Sequence, residues 1–301
     1  MASWAAHIKG AIAILELRGI KQLQTRTGLS LYLQLRFQVV SQARYYPFPN
    51  NFSQLLGCIQ RSEHVPYPIL EWSDEAKKYQ IEEQLPRSYL ADILGRLCTF
   101  RAMLKDGLIT DTQETLSDAK ALDDDLVSWS ENLCTDWLYN DVVWSYDDPL
   151  VFERHCHVYS SFCAATTWNT YRCARIMMNE IMLNQLAALM WSPSLSMEWD
   201  IIALQETCSS TIMQMALDIC ASVFYHLTYD GTTLELNCAP PIGGGAFLIW
   251  PLWVAANNKR TSDSLRSWVR GKMDLLGHIM GIKNALRISD HLSKLYGPLK
   301  P

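Results

Sequence analysis

Apolar residues recur at spacings of three and four through nearly all of this 301-residue chain. That is the period of an amphipathic helix. Ile8, Ala11, Ile12 and Leu15 fall on one face, and Leu31, Leu35 and Val39 continue the habit in a second segment. YYPFPNNF at 45–52 reads as a turn, because proline removes a backbone donor and pushes the preceding residue toward extended shapes. HVPYPILEW at 64–72 is a second break. Pro86 suits the first turn of a helix with Leu90, Leu94, Leu97 and Leu104 on its apolar face. Asp111 and Thr112 can start the next helix, with Leu116, Ala119, Leu122 and Leu126 beneath it.

After the punctuation of Asp147-Asp148-Pro149, residues 149–191 form the longest predicted helix, stopped at Pro193. Residues 199–227 carry one stripe of Leu204, Cys208, Ile212, Met215, Ile219 and Val223. Asp230-Gly231 marks a turn, and NCAPPIGGG at 237–245 reads as a rigid, then flexible connector. An apolar helix broken by Pro251 follows. Two further helices, joined around 277–281, end at Gly297-Pro298. Alternating apolar and polar runs are rare, so the predicted fold is all-α. With no clear linker, it is read as a single irregular multi-helix domain covering 1–301.

Composition narrows the function classes. Hydrophobic residues make up 49% and charged residues 19%, as in a packed protein. The net charge of −5 disfavours direct nucleic-acid binding, which needs a basic stripe to neutralise phosphates. Lys77-Lys78 and Lys259-Arg260 are the longest basic clusters and make no clear nuclear-import signal. The first residues lack the layout of a secretory signal, and no apolar run is long enough to cross a membrane. Nine cysteines, an odd number, suggest reduced core thiols in an intracellular protein, nuclear or cytoplasmic.

Reaction chemistry is scarce. There is no Cys-x-x-Cys. Cys156 and Cys163, if helical, lie roughly 10 Å apart along the axis, too far to share a metal ion. His155 and His157 project about 200° apart on a helix. The glycines at 243–245 are not followed by Lys-Ser or Lys-Thr and form no phosphate loop. There is no Gly-x-Ser-x-Gly elbow. The histidines at 7, 64, 226, 278 and 291 stand alone and are expected to be structural or solvated. No enzyme activity, cofactor or metal is expected.

Two constellations remain. Residues 121–153 contain no Lys or Arg and mix acids with aromatics. Asp123, Asp124, Asp125, Trp129 and Trp137 form a candidate partner surface there. The competing reading is a helix with acids outside and aromatics in the core, favoured by the spacing of Leu122, Leu126 and Trp129. In the segment TTWNTYRCARIMMNEIML, Trp168, Tyr171, Arg172 and Arg175 form a candidate ligand or ion-pair site. The two arginines, three apart, share a face and can pair with the acidic window or grip an anion. Structural pairing is the favoured alternative.

Several segments in order carry a family resemblance. WAAHIKGAIAILELRG (4–19) leads into GLSLYLQLRFQVV (28–40). LDDDLVSWSENL with WLY follows (122–139), then WNTYRCARIMMNEIML (168–183), and GGGAFLIWPLWVAAN with RSWV and GIKNAL closes (243–286). Together they resemble the C-terminal regulatory domain of fungal binuclear zinc-cluster transcription factors. The resemblance implies an all-α domain that restrains activity, responds to signals and contacts other proteins. The zinc-cluster DNA reader that usually precedes such a domain is not matched, so no DNA-contacting or metal residue carries over.

The first match begins almost at Met1, where the family usually has more helices. The chain is therefore expected to be N-terminally truncated and to expose apolar surface near Ile8, Ile12 and Leu15. The leading expectation is a transcription-regulator-like protein acting through protein contacts, with a full-length zinc-cluster protein as the expected partner. A helical small-ligand sensor and a truncated product without independent function are the alternatives.

Overall fold

The computed structural model describes residues 2–41, 58, 62–189, 198–228 and 242–297. Among them the fold is all-α, as the periodicity predicts, with a two-stranded hairpin as the only sheet. The backbone gathers into two compact units, Met1–Leu133 and Cys134–Pro301, although no composition shift marks that boundary. The turns expected at 45–52 and at Asp230-Gly231, and the stop at Pro193, lie outside the described residues.

The first unit contains α1 (Ala2–Arg18), α2 (Arg26–Ser41), α3 (Tyr67–Glu71), α4 (Ser73–Lys77), α5 (Leu85–Lys105) and α6 (Thr112–Glu131). A single 3-10 turn, Ile20–Gln24, joins α1 to α2. There Gln22 Nε2 donates to the carbonyls of Leu15 (2.8 Å) and Gly19 (3.0 Å). It satisfies acceptors that a helix end leaves open. Leu15 packs with Leu23, Leu29, Tyr32 and Ala76.

The expected apolar exposure near α1 therefore falls on the other side of that helix. Leu15 is buried and Ile12 half-buried, while the side chain of Ile8 lies outside the described residues. Ile14 and Leu17 point outward instead, Leu17 at 88% exposure. Apolar residues occupy both sides of this helix (AIAILEL), so spacing alone could not choose the buried face.

Pro86 sits in the first turn of α5, whose Leu90, Leu94 and Leu97 are fully buried. Asp111 caps α6, its side chain accepting from the Glu114 N–H at 2.7 Å. Ala119, Leu122, Leu126 and Trp129 form the buried face of α6. Trp129 Nε1 donates to the Pro86 carbonyl at 2.7 Å, tying the end of α6 to the start of α5. Each buried leucine contributes about 1.5–3 kcal/mol. Asp92 of α5 accepts from Arg36 of α2 and from Ser73 Oγ, and pairs with Lys77 of α4. It thus answers the nearly fully buried guanidinium of Arg36.

The second unit opens with a hairpin, β1 (Tyr139–Val143) antiparallel to β2 (His155–Tyr159), with Tyr139 opposite Tyr159 and Asp141 opposite His157. Then come α7 (Phe162–Leu189), α8 (Glu198–Ala221), α9 (Val223–Thr228), α10 (Ile242–Ala256), α11 (Asp263–His278) and α12 (Lys283–Tyr296). Residues 149–161, expected to start the long helix, instead make the strand β2 and its turn. Helix α7 begins only at Phe162. Phe152, His155, Val158, Tyr159 and Phe162 fit helical spacing in sequence, which hid the strand. Its turn also lacks Gly or Asn. Glu153 (φ 48°) and Arg154 (φ 67°) supply the two positive-φ residues, and the His155 N–H closes the turn on the Phe152 carbonyl at 3.1 Å.

Two further expectations change. Helix α10 runs through Pro251 without a break. Gly243 to Gly245 lie inside it and do not form a flexible connector. A Cβ on Gly245 would come 2.7 Å from Leu276 Cδ2, so glycine is what lets α10 approach α11 closely. Gly277 does the same between α11 and α12, where a Cβ would sit 2.3 Å from Leu286. Arg266 fastens the α10–α11 connection. It donates to the carbonyls of Ala256 (3.2 Å), Asn258 (3.0 Å) and Thr261 (2.9 Å), while its guanidinium lies 3.8 Å from the Tyr296 ring centre. Two residues on, Trp268 packs against Phe152 and under the Lys272 ammonium, which donates to the Pro149 carbonyl.

The positive φ at Arg154 costs an L-residue about 1–2 kcal/mol, and glycine is free of that cost. Arg154→Gly is therefore expected to raise the urea midpoint by an amount equivalent to about 1 kcal/mol. A lowered midpoint would show that the turn is not the conformation described.

Candidate functional site

The densest polar chemistry lies inside the second unit, around Arg172 at 0% exposure. Its Nη1 donates to the Tyr159 hydroxyl oxygen (2.7 Å) and to Asn169 Oδ1 (2.9 Å). Its Nη2 lies 3.0 Å from His157 Nδ1. A guanidinium can only donate, so Nδ1 must accept, and the imidazole proton sits on Nε2. Asp218 of α8 supplies the countercharge, its carboxylate 3.9 Å from Arg172 Nε. The rings of Tyr139, Trp168 and Tyr159 stand 4.9, 5.6 and 5.8 Å from the guanidinium carbon. Such rings stabilise a cation away from water.

The network continues beyond the arginine. Asn169 Nδ2 donates to Ser222 Oγ at 2.8 Å, and Ser222 Oγ donates to the Ile219 carbonyl at 2.7 Å. Ser222 stands at the break between α8 and α9. Its carbonyl accepts from His226 Nδ1 at 2.9 Å and from the His226 N–H at 3.3 Å. His226 Nε2 is buried with no hydrogen-bond partner among the described residues. Burial pulls the His226 pKa down to about 4, against the pull of the Ser222 hydrogen bond. Burial, followed by the Arg172 charge, pulls His157 down to about 2. Burial pushes the Tyr159 phenol up to about 12, so it stays neutral beside the arginine.

Trp168, Tyr171 and Arg172 of the second sequence constellation thus lie in the core. Arg172 does pair with a carboxylate, but that carboxylate is Asp218 and not one in the 121–153 window. Arg172 and Arg175 do not act together. Arg175 is half-buried and meets Tyr171, its Nη1 3.5 Å from the Tyr171 hydroxyl. Trp168 Nε1 donates to the Trp137 carbonyl at 2.7 Å, and Tyr171 packs edge-on against Trp168. Both Nη groups of Arg172 face groups of the chain, while its Nε, 3.9 Å from the Asp218 carboxylate, makes no hydrogen bond among the described residues.

The first constellation also divides. Trp129 and Trp137 are 7% and 6% exposed and present no face to a partner. Asp123 is buried. Asp124 is exposed and pairs with Lys120 at 2.6 Å, while Asp125 pairs with Arg96 at 2.7 Å. Helical packing explains this: Asp123 shares the buried side of α6 with Leu122 and Leu126, and only its neighbours reach water.

The geometric premise about Cys156 and His155 also changes, since they lie on a strand. No group of three or more His, Cys, Asp or Glu is placed to hold a metal among the described residues. Six of the eight described cysteines are buried, while Cys134 and Cys163 are exposed. No described helix is long and apolar enough to cross a membrane. Comparison with family models, curated proteins and solved structures returned no match for this chain.

Two outcomes follow from the buried network. Arg172→Leu leaves Asp218, Tyr159 and His157 without the group that joins them and is expected to cost about 3–5 kcal/mol in urea unfolding. Arg172→Lys should recover little, since a point charge cannot meet three acceptors in a plane. A loss under 1 kcal/mol would remove the network from its central role.

The second outcome concerns pH. Both imidazoles have folded pKa values below the ordinary 6.5, so the unfolded chain binds protons that the folded one refuses. This stability is fully present above about 6.5. It is lost as pH falls, toward about 4 for His226. His226→Phe should flatten the acid loss over that window by about 1.4 kcal/mol per pH unit. Parallel profiles for variant and parent would contradict it.

Proposed function

We propose that this chain is a transcription-regulator-like protein, an all-α regulatory domain that works through contacts with other proteins. Its expected partner is a full-length zinc-cluster transcription factor, which would supply the DNA reader. One observation carries the reading: each segment through which the sequence resembles that family's regulatory domain places residues in the cores. Leu15 in the opening segment, Asn169 and Arg172 in the Trp-Asn-x-Tyr-Arg segment, and Gly245 and Arg266 in the closing one all sit at buried junctions. Residues with such roles are what related folds have in common, whereas a shared reaction centre would leave polar groups facing a cleft.

The test is to tether the full chain to an unrelated DNA-binding module in a fungal reporter strain, and to capture crosslinked partners from the same cells. Reporter output is expected to change at least several-fold relative to the module alone, with a zinc-cluster protein among the captured partners. An unchanged reporter together with no zinc-cluster protein would overturn the proposal.

A further inference from the structure

The first unit holds a groove of about 770 Å³ between the α3–α4 segment, α5 and α6. That volume lies within the range of small-molecule sites, roughly 300–1,000 Å³. Its floor is apolar, made by Phe100, Ile109 and Leu122, each buried. Its lining carries five carboxylates against two cations. The two cations are already matched: Arg96 pairs with Asp125, and Lys77 with Asp74 and Asp92. These pairs gather at one end of the groove, since α5 and α6 run antiparallel with Pro86 tied to Trp129.

The other end, nearer the α5–α6 turn, is different. Glu114 and Asp118 line it, both exposed, and neither carboxylate has a hydrogen-bond or ion-pair partner among the described residues. They stand four apart on α6, a spacing at which like charges disfavour the helix. An external cation between them would reverse that penalty. A bare metal ion is poorly served, because no third ligand is placed with them among the described residues.

We infer that this groove binds an amphipathic organic cation, an ammonium group on an aryl or alkyl body. The ammonium lies between Glu114 and Asp118, and the body runs along Phe100 and Leu122 toward the Arg96–Asp125 pair. Charge complementarity chooses the occupant: the apolar floor accepts any greasy chain, but the two unpaired acids favour a positive head and repel a carboxylate. This inference is independent of the regulatory reading, because it rests only on the groove.

The experiment is calorimetric titration of the full chain with three matched probes: 4-phenylbutylamine, 4-phenylbutanol and 4-phenylbutyrate. The amine is expected to bind at least ten-fold more tightly than the alcohol, and the carboxylate not to bind. Glu114→Gln with Asp118→Asn should bring the amine to the level of the alcohol while leaving the melting temperature close to that of the parent, since both residues are exposed. Because Glu114 stands beside the Asp111 cap, Asp118→Asn alone serves as the second variant and should weaken the amine several-fold. Equal binding of amine and alcohol, no binding of the amine, an unweakened double variant, or binding of a basic amphipathic peptide in place of the amine would each overturn the inference.

Discussion

A fully buried guanidinium is the constraint on which the second unit depends. Isolated burial of such a charge costs several kcal/mol, and the cost is offset only by hydrogen bonds, a countercharge and ring faces around it. Arg172 is answered from four elements at once: the Tyr139 ring on β1, His157 and Tyr159 on β2, Asn169 on its own helix, and Asp218 on α8. The hairpin cannot shift against α7 without stranding the arginine, and α8 cannot slide without withdrawing the countercharge. The neutral state of His157 follows from the same placement, since an imidazolium would have to donate to a group that can only donate.

The helices were legible where the local signals agree. Pro86 in a first turn, Asp111 as a cap and the stripe of Leu122, Leu126 and Trp129 each pointed to the element that forms. The hairpin was not, because the residues of β2 satisfy helical spacing and the tight turn that enters it is built from Glu153 and Arg154 at positive φ, residue types that do not announce a turn. That omission propagated into the site. Tyr139, His157 and Tyr159 lie on the two missed strands, so the sequence could single out Arg172 without finding what surrounds it. Its carboxylate partner is 46 residues away, at Asp218. No local rule links the two, and the conspicuous acids at 121–153 offered a nearer but incorrect partner.

The Trp-Asn-x-Tyr-Arg segment is bound into the core at each of its named positions. Trp168 hydrogen-bonds the Trp137 carbonyl, Asn169 bridges Arg172 to Ser222, Tyr171 packs on Trp168, and Arg172 centres the network. All four positions therefore have packing reasons to be what they are. A likeness made of such residues speaks to a common scaffold first. Its functional content is carried by analogy, since function lives in sites placed on a fold.

Charge is handled differently in the two units, and the difference locates where each can respond to its surroundings. In the second, the buried cation is answered internally, and adding a proton or an ion there can only disrupt. In the first, Asp92 likewise collects Arg36, Ser73 and Lys77 into a closed set. The same α5–α6 pair leaves Glu114 and Asp118 unanswered on the edge of an apolar groove. Exposed carboxylates four apart cost a helix only a few tenths of a kcal/mol, so the fold tolerates them without a partner. A group bound between them would convert that small penalty into a gain and would tighten α6 against α5 through the shared floor of Phe100 and Leu122. Any coupling between ligand and conformation in this unit is therefore expected to run through the α5–α6 pair.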